Sequence, residues 1–219
     1  MIKAVLFDLD GTIINSEEGI TKCVQYALSS FGIEEPDRKK LLCFIGPPLD
    51  PVFREKYGFD ADKAWQAVLK YRERFDKTGI FECELYEGVA DTIRKLKEAG
   101  CVIALASSKP ETACRRILEH FSLTPYFDEI VGSTLDGSIS TKQQVLEELG
   151  RRMEHMQITK DQMCLIGDTE YDVIGADQFG IRCIGVSYGF GKRELLERAG
   201  GNNCVCDSMA EVVEALQQM

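Results

Sequence analysis

The sequence predicts an α/β fold: a Rossmann-like, doubly wound parallel sheet with a small all-helical domain inserted after the first strand. Three observations predict it. Short apolar runs rich in β-branched residues recur along most of the chain. Helical apolar patterns lie between them. One stretch near the start, residues 16–80, carries helical spacing only. Apolar runs without polar alternation suit strands buried on both faces of a parallel sheet. Their alternation with helices suits a doubly wound domain.

Strands are expected at 3–7, 101–106, 129–132, 163–166, 182–186 and 204–206. Val89, Ile93 and Leu96 form one helical stripe. Pro110 suits the first position of a helix through Ile117 and Leu118, where a missing N–H costs nothing. Ser208 with Glu211 is an expected capping box ahead of Val212, Val213 and Leu216. In the inserted stretch, Ile20, Val24, Ala27, Leu28 and Phe31 share a face, as do Ala61, Trp65, Val68, Leu69 and Phe75. Pro47 and Pro48 make the segment between them a loop. The expected division is a core of 1–15 and 81–219 and a helical domain of 16–80.

Composition narrows the function. With 44% apolar and 28% charged residues, the chain of 219 is globular rather than disordered. No apolar run reaches bilayer length. The stretch from Met1 to Phe7 is too short for a secretory signal. A cytoplasmic protein with no membrane partner is expected. A net charge of −10 repels polyanions, which argues against nucleic acid but not against a pocket for one phosphate. Nine cysteines form no Cys-x-x-Cys pair, and the histidines are His120 and His155 alone. The cysteines are expected as small buried hydrophobes in a reducing compartment, without a zinc site.

The chemistry concentrates at strand ends. The first strand runs into Asp8-Leu9-Asp10-Gly11-Thr12, where ligands of open α/β sheets bind. Two carboxylates two residues apart project to one side of an extended segment. They need a cation or a proton between them. A calcium loop of the EF-hand type is excluded, since its sixth position would be Ile13 and its twelfth Gly19. A second acidic pair, Asp168 and Asp172, follows the strand at 163–166. Each pair read singly could be turn and helix-cap residues. Carboxylates at two strand ends, without histidine or thiolate, point to a hard cation, magnesium. Ser107 and Ser108 follow another strand and could hold phosphate oxygens. Lys142 stands at an expected helix start, where a cation is disfavoured. That misfit suggests that it answers to an anion.

Together, Asp8-Leu9-Asp10-Gly11-Thr12, Ser107, Lys142 and Gly167-Asp168 with Asp172 resemble, in order, the four motifs of haloacid dehalogenase-like phosphatases. Phe44-Ile45-Gly46-Pro47-Pro48-Leu49 and Tyr86-Glu87-Gly88-Val89 resemble the phosphoglycolate phosphatase and 5′-nucleotidase-like branch. Asn15 departs from the branch, where aspartate is frequent. So does Ser107-Ser108-Lys109, where Thr-Asn-Lys is frequent. The resemblance implies a phosphatase acting on a small phosphorylated metabolite, with a phosphoglycolate phosphatase-like activity expected first and a 5′-nucleotidase or sugar-phosphate phosphatase as the alternative. Asp8 is then the nucleophile and Asp10 the general acid and base. Magnesium is held by the Asp8 carboxylate, the Asp10 carbonyl and Asp168, with Thr12 and Asp172 behind them. Ser107, Ser108 and Lys142 receive the phosphoryl oxygens, and the helical insertion is the cap. A phosphomutase, a dehalogenase and a silent binding protein share the fold. The missing cap arginine loop, the presence of Asp10 and the filled catalytic positions argue against each in turn.

Overall fold

The computed structural model of the chain describes residues 1–199 and 204–219. Strand β1 (Ala4–Phe7) comes first and is fully buried, as its run of apolar residues requires. The chain then passes through β2 (Ile14–Asn15) into helices α1 (Glu17–Ser29), α2 (Leu49–Tyr57) and α3 (Ala61–Phe75). It returns through β3 (Glu84–Leu85), which pairs with β2 in a two-stranded sheet. The remainder alternates: α4 (Val89–Glu98), β4 (Val102–Pro110), α5 (Glu111–His120), β5 (Glu129–Ser133), α6 (Lys142–Met153), β6 (Met163–Gly167), α7 (Glu170–Phe179), β7 (Arg182–Val186), α8 (Arg193–Arg198), β8 (Cys204–Cys206) and α9 (Met209–Gln217).

Two compact units result, Met1–Ile14 with Leu85–Met219, and Asn15–Glu84. The first holds a six-stranded sheet in the order β5-β4-β1-β6-β7-β8. Every pairing is parallel. The chain builds outward from β1 to β4 and β5, then crosses back to β6, β7 and β8. The strand order therefore reverses beside β1. This is the place where open α/β sheets leave a crevice beyond the carboxyl ends of their strands. On one face Ala4, Leu6, Ala104 and Leu165 pack with Val145 and Leu149 of α6 and Val173 and Ala176 of α7. Val5, Phe7, Ile103 and Leu105 alternate to the other face and are equally buried.

The second unit is built of helices and 3₁₀ turns. Its core stacks aromatic rings, with Phe44 4.7 Å from Phe53 and Phe53 6.0 Å from Phe59. Arg74 forks onto Glu82 at 2.6 and 3.0 Å, tying the end of α3 to the segment that leaves the unit. The apolar face of α3 differs from the one expected. Trp65 and Leu69 are 47% and 49% exposed, while Ala64, Ala67, Val68, Tyr71 and Phe75 are buried. Val68 and Phe75 lie on the buried stripe as expected, but the stripe runs through Ala64, Ala67 and Tyr71 in place of Trp65 and Leu69.

Other details also differ from expectation. Pro110 is the residue before α5 rather than its first, with an extended ψ of 133°. Ser208 does cap α9 by accepting the Glu211 N–H. The Glu211 carboxylate accepts from Asp207 instead of Ser208, so the box is not reciprocal. The nine cysteines form no disulfide; five are buried and four half-buried, so burial is not uniform. No helix among the described residues is long and apolar enough to cross a membrane.

Candidate active site

The carboxyl ends of β1, β4 and β6 adjoin in the sheet, and the polar residues singled out in the sequence gather there. Asp8 directly follows β1, its N–H donating to the Ile166 carbonyl of β6 at 2.9 Å. Lys142 is the first residue of α6. Thr141 caps this helix, with a reciprocal box to Gln144, so Lys142 is free of capping duty. Its side chain reaches Asp8 Oδ1 at 2.5 Å and the Ala106 carbonyl at 2.7 Å. It also forms an ion pair with Asp172 Oδ1 at 2.7 Å. A cation at a helix N-terminus is thus explained: two carboxylates outweigh the helix dipole.

Asp168 and Asp172 divide the second acidic pair. Thr169, not Asp168, caps α7. Asp172 folds back to accept the Thr169 N–H and hydroxyl at 3.0 and 2.8 Å through Oδ2. Its other oxygen faces Lys142. Asp168 is fully buried and accepts the Phe190 N–H at 2.7 Å. The Thr12 hydroxyl lies at the limit of hydrogen bonding, 3.5 Å from it. A side chain at Gly11, Gly189 or Gly191 would run into Asp168, so three glycines cradle this one residue. Gly11 also has φ of +83°, which turns the chain sharply after Asp10.

One carboxylate oxygen each of Asp8, Asp168 and Asp172 lies within 4.8 Å of the others. Burial pushes the Asp8 carboxyl up from the ordinary 3.8 to about 6; Lys142 opposes this, and Asp172 and Asp10 add to it. Asp168 is held well above the carboxylate range by burial, then by Asp172 and Asp8, against the Phe190 N–H. Burial works to lower the Lys142 ammonium, but Asp172 and Asp8 outweigh it and hold Lys142 above its usual value. Three carboxylates thus share one ammonium. A proton or a further cation would offset their repulsion, and an all-oxygen donor set suits a hard divalent ion.

The Asp10 carboxylate stands outside this cluster. It faces Lys109, with Oδ2 2.8 Å from Nζ. Ser107 is buried, and its hydroxyl oxygen accepts the Lys109 N–H at 3.3 Å. Ser108, next along the strand, is half-buried and makes no hydrogen bond to the cluster among the described residues. The register of β4 against β5 shifts between Ala106 and Pro110, which is the stretch that carries these three residues. Such an irregularity re-aims side chains at a sheet end.

Sequence reasoning missed two parts of this site. Lys109 belongs to the Ser-Ser-Lys string at the carboxyl end of β4, of which the sequence reading took up only the two serines. The loop after β7, Ser187-Tyr188-Gly189-Phe190-Gly191, supplies the Phe190 N–H to Asp168. The Tyr188 hydroxyl in the same loop donates to the Thr12 carbonyl at 3.0 Å. Its two glycines at a strand's carboxyl end were the available signal.

Known proteins share this architecture. A solved structure from Clostridium acetobutylicum, described as a predicted phosphatase, is 44% identical, covers 100% of both chains and superposes with a TM-score of 0.91. A 5′-nucleotidase of Pseudomonas aeruginosa is 40% identical over 213 residues, 97% of this chain and 95% of its own. The pyrophosphatase PpaX of Bacillus mycoides is 29% identical over 218 residues, 100% of this chain and 98% of its own. The family profile described as haloacid dehalogenase-like hydrolase matches residues 5–186, a span that holds every carboxylate and lysine of the cluster, and the chain belongs to that family.

Proposed function

We propose that the protein is a magnesium-dependent phosphatase that hydrolyses a small phosphate monoester through an aspartyl-phosphate on Asp8. One observation carries the reading. Asp8 lies at the switch point of the sheet with Oδ1 held by Lys142, and no hydrogen bond among the described residues occupies its Oδ2. A buried carboxylate with one fixed and one available oxygen is aimed as a nucleophile.

Asp8 attacks phosphorus, and the bond from phosphorus to the ester oxygen breaks. Asp10 gives its proton to the departing alcohol. As a carboxylate it then takes a proton from the water that attacks the aspartyl-phosphate, releasing phosphate and restoring Asp8. Lys142 and the Ser107 hydroxyl receive phosphoryl oxygens. Asp8, Asp168 and the Asp10 carbonyl would hold magnesium, with Asp172 beside them. Bound there, the ion offsets the charge that develops on the phosphoryl group. The unit Asn15–Glu84 is the substrate-selecting cap.

The 40% identical relative supports a 5′-nucleoside monophosphate as the substrate, ahead of phosphoglycolate or a sugar phosphate. Hydrolysis of a panel of these monoesters, with pyrophosphate and p-nitrophenyl phosphate beside them, tests the reading. Turnover is expected to vanish in EDTA and return with magnesium, while calcium, with its looser coordination, restores little. Full activity in chelator would remove the metal assignment. A preference for phosphoglycolate would remove the nucleotide.

A further inference from the structure

Asp10 has an unusual anchorage for a residue asked to move a proton in both directions. Its Oδ1 is buried and has no hydrogen-bond partner. Its Oδ2 meets Lys109 at 2.8 Å, with the two side chains 11% and 8% exposed. Among the described residues no other hydrogen bond or ion pair holds this carboxylate. A lone contact that is nearly dry fixes a carboxylate far better than an exposed pair does.

Lys109 is itself fixed from both sides. Its N–H donates to Ser107 Oγ. Across the sheet, a side chain at Gly132 of β5 would strike the Lys109 carbonyl, so the backbone there lies against the neighbouring strand. The register shift in β4 falls in this stretch. Lys109 therefore reaches Asp10 from a constrained backbone.

We infer that Lys109 is a positioning residue for Asp10: it sets the angle at which the carboxylate meets the leaving group and the attacking water. The inference rests on the proton-transfer role proposed for Asp10. Without Lys109 the carboxylate loses its anchor and turns about its side-chain torsions. A displacement of about 1 Å at a reacting group costs on the order of 10²-fold in rate.

The test compares Lys109→Met, Lys109→Arg, Asp10→Asn and the Lys109→Met/Asp10→Asn double variant, each with magnesium. Activity is read on an alkyl phosphate and on p-nitrophenyl phosphate, with the melting temperature measured beside it. Lys109→Met is expected to lose about 10²-fold in kcat on the alkyl ester, with less loss on the aryl ester, whose leaving group hardly needs a proton. Lys109→Arg recovers part of it. In the Asp10→Asn background, Lys109→Met adds little, because there is no acid left to position. Equal loss on both esters, or full additivity in the double variant, overturns the inference and places Lys109 on the phosphoryl group or in the scaffold. If Asp10→Asn itself shows no dependence on the leaving group, the role of Asp10 falls first and the inference falls with it. A Lys109→Met variant that melts early is judged by Lys109→Arg and by the ratio of the two esters, which a general loss of folded protein leaves unchanged.

Discussion

Asp8→Asn is expected to abolish turnover, by on the order of 10⁴-fold or more, while leaving the fold intact. An amide cannot attack phosphorus as a carboxylate does. The structure separates this loss from instability. Asp8 is one of three clustered buried carboxylates, and Lys142 pairs directly with it and with Asp172. Neutralising one removes repulsion with Asp168 and Asp172 and leaves Lys142 paired with Asp172 at 2.7 Å. The melting temperature should hold or rise. Activity and thermal unfolding measured on the same preparation check both halves. A variant that unfolds early would return Asp8 to the role of a turn residue.

Lys142→Met is expected to lose both activity and stability. Lys142 is 6% exposed and contacts Asp8, Asp172 and the Ala106 carbonyl. Removing one partner of a buried ionic cluster strands the other charges, a cost of about 3–5 kcal/mol. The loss of a cation at the phosphoryl oxygens adds on the order of 10²–10³-fold in kcat. The stability deficit should shrink on acidification in EDTA. The Asp8 carboxyl in the folded protein, at about 6, lies above its unfolded value of 3.8. Its protonated form stabilises fully below 3.8, and that contribution disappears as the pH rises through 6. Without Lys142 the folded value climbs further, so the window extends upward. Denaturant unfolding of both proteins between pH 4 and pH 8 measures it. A deficit that is flat across that range would mean that Lys142 contributes packing rather than charge.

The polar strand ends were legible because they combine two signals that seldom coincide. An apolar run specifies a buried strand, and an acid or hydroxyl directly after it breaks that run at a place where ligands bind. Asp8, Ser107 and Asp168 all follow this rule, and the structure brings them to one end of the sheet. Lys142 was legible as a misfit with the helix dipole, and its paired carboxylates supply the reason. Lys109 and the loop 187–191 were less legible, for their partners lie on neighbouring strands. The ion pair of Lys109 with Asp10 depends on β1 and β4 being neighbours. The Phe190 N–H reaches Asp168 because β7 lies next to β6. The face of α3 was misread for another reason. Trp65 and Leu69 stand on its exposed side, while Ala64, Ala67, Val68, Tyr71 and Phe75 line the buried one.

The central claim is that phosphorus passes through the carboxylate of Asp8. Rapid-quench labelling with a phosphorus-32 substrate addresses it directly, using Asp10→Asn so that water is no longer activated and the intermediate accumulates. The account predicts a stoichiometric label that hydroxylamine removes and that peptide mapping places on Asp8. Label on Ser107, or an enzyme that turns over in the same time with no label on Asp8, would contradict it.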